Sequence, residues 1–537
     1  MMPTQASHGA NGAASNDAHY TAEYLRLKAL AERGVANAQH SLGFMYVNGQ
    51  GVPKNDQMAV HWYLKAAQAG LEHAQYNLGV MFQKGQGVPQ DLAQAVHWYQ
   101  QAAEQGYAAA QYNLGWLYAK GQGVEQDPIQ AMHWFSKAAE QGDAGAQNNL
   151  GMMYETGKGV PQDFREAIVW YRRAAEQGYA RAQFNLGLRY DTGQGVQHDP
   201  QQAVSWFRKA AEQGYAPAQF NLALKFDKGQ GVPQDSRKAI AWYKRAAEQG
   251  HASSQFNLGL IYDSGHGIER DEAAALDWFR RAAAQGHAGA QDNIGLRYEH
   301  GQGVRQDFEA AAEWYLKAAE QGSASAQYHL ALLFDSGHGV PRDPAQAVDW
   351  CRKAAEQGHL RAQFDLGLRF EGGNGVPQDF KLAMTWYLRA AEQEYAAAQF
   401  SVARLFDDDD AQMLDTNQAY HWYRKAADQG HPHAEFALGL RYDSGLGTQQ
   451  DYDAAHFWYL RAARQGHARA QFNLGLMCAS GHGTAEDLMQ AYGWLLQAER
   501  NGYPAATRYL RHVESRMPPE QLAHLRARLL GAEPAAA

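Results

Sequence analysis

Tryptophan returns every 36 residues along this chain. It stands at 62, 98, 134, 170, 206, 242, 278, 314, 350, 386, 422, 458 and 494, without insertion or deletion, and only Trp116 lies outside the series. An alanine precedes each serial Trp by three residues, from Ala59 to Ala491, and another follows by four, from Ala66 to Ala498. Gln39 recurs at the same step to Gln471, interrupted only by Glu435. A fixed period of this length marks an array in which each unit buries its apolar face against its neighbours. The 537 residues therefore read as one domain lengthened by copying a unit thirteen times, from about 35 to 502.

One unit reads as two helices. In ARAQFNLGLRYDTG, residues 180–193, Ala182, Leu186 and Tyr190 fall at i, i+4 and i+8 with Gln183 and Gly187 alongside, one stripe of a helix. Gly187 has no side chain and lets a neighbouring helix come close. In DPQQAVSWFRKAAEQG, Ala203, Trp206, Phe207, Ala210 and Ala211 share one face of a second helix. Asp199 with Gln202 predicts a capping box at its start, repeated at Asp91/Gln94 and Asp343/Gln346, and Gly214 ends it where a left-handed residue is needed. Between the helices most units carry Gly-x-Gly-Val, as at Gly85, Gly87 and Val88, often followed by proline. The serial Trp residues are assigned to the repeat core, where each ring hides ~150 to 250 Å².

The unit A-x-x-Q-x-x-L-G-x-x-Y-x-x-G-x-G-V-x-x-D-x-x-x-A-x-x-W-Y-x-x-A-A-x-x-G resembles the Sel-one-like repeat (SLR), a relative of the tetratricopeptide repeat with a longer inter-helix loop. The resemblance spans thirteen units of 36, or 468 of the 537 residues. It implies an all-α, right-handed superhelical α-solenoid of about thirteen helix-turn-helix repeats, with the first helix of each pair lining a concave groove. Around this core the expected layout is a disordered tail at 1–18, a capping helix at 19–34, repeats over 35–502, and capping helices with a short tail at 503–537. Unit eleven departs most: Asp409, Asp410, Ala411 and Gln412 replace Gly-x-Gly-Val, and unit ten ends on Glu394 in place of Gly. A solvated acidic turn is favoured there over a hinge, and four consecutive Asp do not make a calcium loop.

Several classes of chemistry are excluded. A net charge of −9 and a pI near 6.2 argue against a nucleic-acid binder. No apolar run approaches the ~20 residues of a membrane span, and the N-terminal sequence lacks a signal-peptide pattern, so the expectation is a cytoplasmic chain without membrane insertion. The Gly-x-Gly loops lack the Lys-Ser/Thr of a phosphate-binding loop. His61, His97 and His133 precede Trp in consecutive units, too far apart to share a metal, and His251, His287, His359, His431 and His467 follow the terminating Gly. Cys351 and Cys478 sit at core positions, too far apart to bridge. No nucleophile, base and orienter converge in one constellation, so the chain is read as a non-enzyme without metal or cofactor.

The first helix carries the candidate binding residues. Asn recurs just before its Leu or Ile at Asn77, Asn113, Asn149, Asn185, Asn221, Asn257 and Asn293, and again at Asn473. An Asn ladder can bond an extended peptide backbone without demanding one sequence; hydrogen bonds to the adjacent unit are the equal alternative. Arg189, Lys225, Arg297, Arg369 and Arg441 follow and offer rungs for carboxylates. Acids stand two residues later in nine consecutive units, Glu155, Asp191, Asp227, Asp263, Glu299, Asp335, Glu371, Asp407 and Asp443, and inter-unit salt bridges with bonds to loop N–H groups are the favoured reading for them. The function expected is a non-enzymatic scaffold or adaptor, monomeric or self-associating, that binds a protein or peptide partner in the groove. The alternatives are a bacterial immunity or host-interaction protein using the same surface and, behind both, a groove-located hydrolase.

Overall fold

The computed structural model describes residues 22–408 and 413–530. The tail expected at 1–18 and the turn from Asp409 to Gln412 lie outside the described residues, as do 19–21 and 531–537. Every regular element among the described residues is a helix. One covers 22–32; two per repeat follow, and Ala505–Arg516 and Pro519–Leu530 close the chain. Repeat 1 begins at Ala36, and each later repeat begins 36 residues on. The helices form two compact units, one up to Arg281 and one from Ala282.

Repeat 5 shows why this sequence gives a helix pair. Its first helix, Ala180–Thr192, ends at Gly193, whose φ of 72° is the left-handed cap. Its second helix, Pro200–Glu212, starts at Asp199, whose Oδ1 accepts the backbone N–H groups of Gln201 and Gln202 at 3.0 Å. The reciprocal half of the capping box is not used. The Asp199 N–H already donates to the Tyr190 carbonyl at 2.9 Å, which ties the start of the second helix to the end of the first. Two glycines allow close approach. A Cβ on Gly187 would lie 2.7 Å from the Phe207 ring, and one on Gly195 would lie 2.6 Å from Phe164 of the preceding repeat.

The core of each pair is built from small residues and one ring. Ala182 and Leu186 cluster with Ala167, Tyr171, Ala174 and Ala175 of repeat 4, and Ala203, Phe207, Ala210 and Ala211 with Ala218 and Leu222 of repeat 6, all fully buried or nearly so. The ring after Trp is the deepest: Tyr171 and Phe207 are 0% exposed. The serial Trp residues range from buried at Trp62, Trp134, Trp386, Trp422 and Trp458 to half-buried in the other repeats. Trp206 is half-buried, rests on Ala167, Ile168 and Tyr171 of repeat 4, and carries the Lys209 ammonium 3.8 Å from its ring centroid. It therefore seals the junction with the preceding repeat.

A buried glutamine row stitches the stack. Gln183 Nε2 donates to the Ala175 carbonyl of repeat 4 at 3.1 Å and Gln183 Oε1 accepts from Gln213 Nε2 at 2.8 Å. Where Glu435 replaces this Gln it has no amide to donate, and Arg461 makes up the loss. Its guanidinium donates to the Ala427 carbonyl at 3.2 Å and pairs with the fully buried Glu435 carboxylate at 2.8 Å.

At the ends, 22–32 lays Ala31, Leu27 and Tyr24 on the Leu42 and Trp62 cluster of repeat 1. Ala506, Leu510, Val513 and Leu525 join the cluster of repeat 13. Glu394 is the one non-glycine residue with positive φ among the described residues, at 63°, where other repeats place Gly.

Candidate functional site

The stacking of repeats brings together residues that are far apart in sequence. The carboxylates at the ends of the first helices face the next repeat, and their partners stand in it. Asp191 pairs with Lys225, Asp335 with Arg369 and Asp407 with Arg441, while Glu155 meets Arg189 at 3.3 Å. The tyrosine hydroxyl of the same repeat also donates to the carboxylate: Tyr171 to Glu155 at 2.6 Å, Tyr315 to Glu299 at 2.5 Å and Tyr387 to Glu371 at 2.7 Å. Burial, and then these carboxylates, push the three phenols far above their ordinary range, so they remain protonated donors.

The two donors replace one another along the chain. Phe207 and Cys351 have no hydroxyl, and there Lys225 and Arg369 supply the bond. Leu333 and Met477 stand where the cation is missing, and Tyr315 and Tyr459 serve Glu299 and Asp443 alone, the latter at 3.3 Å. In repeat 11 Leu405 takes the cation position, and Arg404 beside it reaches Glu371. A half-buried carboxylate without a donor costs about 1–3 kcal/mol or more; most members have one, whereas Asp227 faces Ile261 at the cation position and its side chain accepts from no described residue. Arg189, Lys225, Arg297, Arg369 and Arg441, expected as rungs for a partner's carboxylates, are all buried. Their burial and, for four of them, their carboxylate partners make them parts of the stack.

The Asn row is half-buried throughout and half-committed to neighbours. Asn77 donates to His40 Nε2 at 2.9 Å and Asn185 to Asn148 Oδ1 at 3.0 Å, each in the preceding repeat. Asn113, Asn257 and Asn149 lie near the hydroxyls of Tyr99, Tyr243 and Tyr112. Asn221 and Asn293 turn back to the carbonyls of Pro217 and Gly289. The amide oxygens of Asn185 and Asn221 accept from no described residue.

Three positions beyond each Asn lies a row that sequence reasoning missed. In the N-terminal unit it runs Phe44, Val80, Trp116, Met152, Leu188, Leu224 and Leu260; in the C-terminal unit Leu296, Leu332, Leu368, Arg404, Leu440 and Leu476. Phe44 is 49% exposed, Met152 47% and Leu368 42%, although large apolar side chains normally leave solvent. The position is apolar in every repeat but one, and the stray Trp116 was the visible signal.

The histidines have structural work. His287, His359, His431 and His467 cap first helices, each ring Nδ1 accepting a backbone N–H three residues on. That geometry requires a neutral ring. Burial, reinforced by His433 whose Nδ1 lies 3.0 Å from its Nε2, holds His467 down to about 4. Burial and the Asp365 charge push the Cys351 thiol up to about 12, which makes it inert. Among the described residues no three His, Cys, Asp or Glu side chains converge as for a metal, and no helix is long and apolar enough to cross a membrane.

The Sel1 repeat family model matches thirteen consecutive segments, from 36–71 to 468–503. The chain belongs to the Sel1 repeat family. Members of this family are in general non-catalytic protein-interaction scaffolds. Among solved structures, a protective antigen present in uropathogenic Escherichia coli strains displays the SLR fold and is 35% identical, with a TM-score of 0.64 over 82% of this chain and 98% of that one. A Sel1 repeat protein from Oxalobacter formigenes is also 35% identical, covering 57% of this chain and 92% of its own, with a TM-score of 0.47. An immunity protein from Pseudomonas aeruginosa shares 23% identity, with a TM-score of 0.29 over 40% of this chain and 81% of its own. Comparison with curated proteins yields no match.

Proposed function

We propose that this Sel1 repeat protein is a non-enzymatic adaptor that lays a protein or peptide partner along the exposed face of its first helices, the face that lines the groove in the related architecture. The observation that carries this reading is the apolar row from Phe44 to Leu260 in the N-terminal unit, in which Phe44, Met152 and Leu260 are exposed and the others half-buried beside half-buried Asn residues. A neighbouring protein covers such a row at a gain of ~25 cal/mol per Å² of apolar surface buried. The Asn amides are suited to backbone hydrogen bonds. The buried cations contribute indirectly by holding the first helices in register.

Crosslinking pull-down tests the face. A variant carrying Leu188→Gln, Leu224→Gln and Leu260→Gln, with Asn185→Ala and Asn221→Ala, should lose the partner captured by the wild type while its circular dichroism is unchanged. Identical partner sets would reject this face. A second reading, a host-interaction role, draws on the 35% identity to a protective antigen. Cell fractionation separates the two contexts: recovery from the cytoplasm supports an internal adaptor, and recovery at the surface or in the medium supports the host-facing role.

A further inference from the structure

The first three junctions of the N-terminal unit lack the acid and the cation, with Val47 and Met81, Gln83 and Leu117, and Ala119 and Met153 at those places, and the third lacks the tyrosine hydroxyl as well. Where repeats 3 and 4 meet, the ring is Phe135 and not Tyr, the position of the carboxylate is Ala119, and the position of the cation is Met153. No tyrosine hydroxyl, carboxylate or guanidinium lines the space, and the Thr156 hydroxyl, which does, is held by the Met152 carbonyl at 2.8 Å. The result is an open recess of about 230 Å³ lined by the buried Phe135 and Met153, the exposed Met152 and the half-buried Asn149. Clefts that take a drug-sized ligand run from about 300 Å³ upward, so this one suits a single large side chain. Two adjacent methionines give it an adaptable lining. Lys120 and Lys158 flank it; both are exposed, and neither has a carboxylate partner among the described residues.

We infer that this recess is the anchor point for an acidic segment of a partner protein, which inserts one large aliphatic or aromatic side chain between Phe135, Met152 and Met153 while flanking carboxylates meet Lys120 and Lys158. The inference rests on the adaptor reading and names the chemistry of the partner. Charge complementarity selects the acidic class, because two like charges share the rim with nothing opposite them. Asn149 in the lining supplies an amide for the segment's backbone. An apolar side chain in a desolvated pocket with charges on the rim is the arrangement in which a few residues carry most of an interface's affinity.

The test uses the full chain labelled with methyl-¹³C methionine, with Met152 and Met153 assigned from Met152→Leu and Met153→Leu spectra. The probe is a capped five-residue peptide, one phenylalanine between two pairs of aspartates. Saturable shifts of both methyl resonances are expected. A peptide with alanine in place of the phenylalanine should bind about tenfold more weakly or worse, and one with serines in place of the aspartates roughly fivefold more weakly. Lys120→Gln with Lys158→Gln, both surface changes, should leave the melting curve unchanged and erase the difference between the aspartate and serine peptides. Methyl resonances that stay fixed at millimolar peptide would overturn the anchor, and so would equal binding of the serine peptide by the wild type. If the crosslinked partner of the first-helix face survives both lysine substitutions undiminished, the anchor fails while the adaptor reading stands.

Discussion

Two adjacent junctions of the N-terminal unit solve the same packing problem by opposite means. Between repeats 4 and 5, Tyr171, Glu155 and Arg189 close the gap with a hydroxyl, a carboxylate and a guanidinium that answer one another. Between repeats 3 and 4, Phe135, Ala119 and Met153 occupy the equivalent places, none of the three is polar, and a recess remains with Lys120 and Lys158 on its rim. The backbone is the same in both, with 13-residue helices and the same glycine caps. The helix pair thus tolerates either chemistry as long as it is consistent. A donor faces the carboxylate in most repeats, with Asp227 opposite Ile261 the exception, and the apolar alternative leaves a recess at the junction of repeats 3 and 4.

The largest expected effect comes from breaking that consistency. Tyr171→Phe with Arg189→Met strips Glu155 of both donors and should cost about 3 kcal/mol in urea unfolding. Adding Glu155→Ala converts the junction to the apolar kind and should return stability to within ~1 kcal/mol of wild type. A double variant as stable as the parent would mean that solvent, and not Tyr171 and Arg189, satisfies the carboxylate. Next comes Trp206→Ala, which uncovers the same junction. Because the ring is half-buried, the loss should be about 2 kcal/mol, with faster amide exchange first in Phe164–Glu176 and Ala180–Thr192; loosening elsewhere first would contradict its place on repeat 4.

The smallest effect contrasts two caps at one position of the repeat. Asp143 accepts the Ala146 N–H at 2.7 Å with a carboxylate, whereas His467 accepts the Ala470 N–H at 3.2 Å with a neutral imidazole. The folded ring titrates near 4, below the ordinary 6.5, so the unfolded chain takes up the proton first. Stability linked to His467 is therefore full above about pH 6.5 and falls as the pH drops toward 4, and a proton there also sets positive charge against the helix N-terminus. His467→Asp should flatten the decline of Tm between pH 7 and 5 by a degree or two relative to wild type; parallel curves would show that the ring does not titrate in that window.

Much of the fold was legible in the sequence because it follows from local chemistry repeated without error. Helix pairs, the caps at Asp199 and Gly214, and the close approach over Gly187 follow from spacing and from which residues tolerate a left-handed or crowded backbone. The candidate site was less legible. Arg189 and Glu155 stand in different repeats, and residues so placed meet only after the stack forms, so exposure looked plausible for a cation that is buried. The apolar row, exposed in part, was hidden by its variety, since Phe44, Trp116, Met152 and Leu188 share a position and not an identity. The Gln202 side chain does not complete the predicted capping box because the Asp199 N–H is held by the first helix.

The 36-residue period by itself determined the helix pair, its turns and the number of its copies, because helix propensity, capping and glycine geometry act within a few residues. Only the tertiary structure decided which polar groups face a neighbour and which face solvent. A carboxylate and its cation 34 residues apart, like Asp191 and Lys225, are brought into contact by stacking alone. That contact consumes the charges sequence reasoning had offered to a partner, and leaves the apolar row and the recess between repeats 3 and 4 in their place.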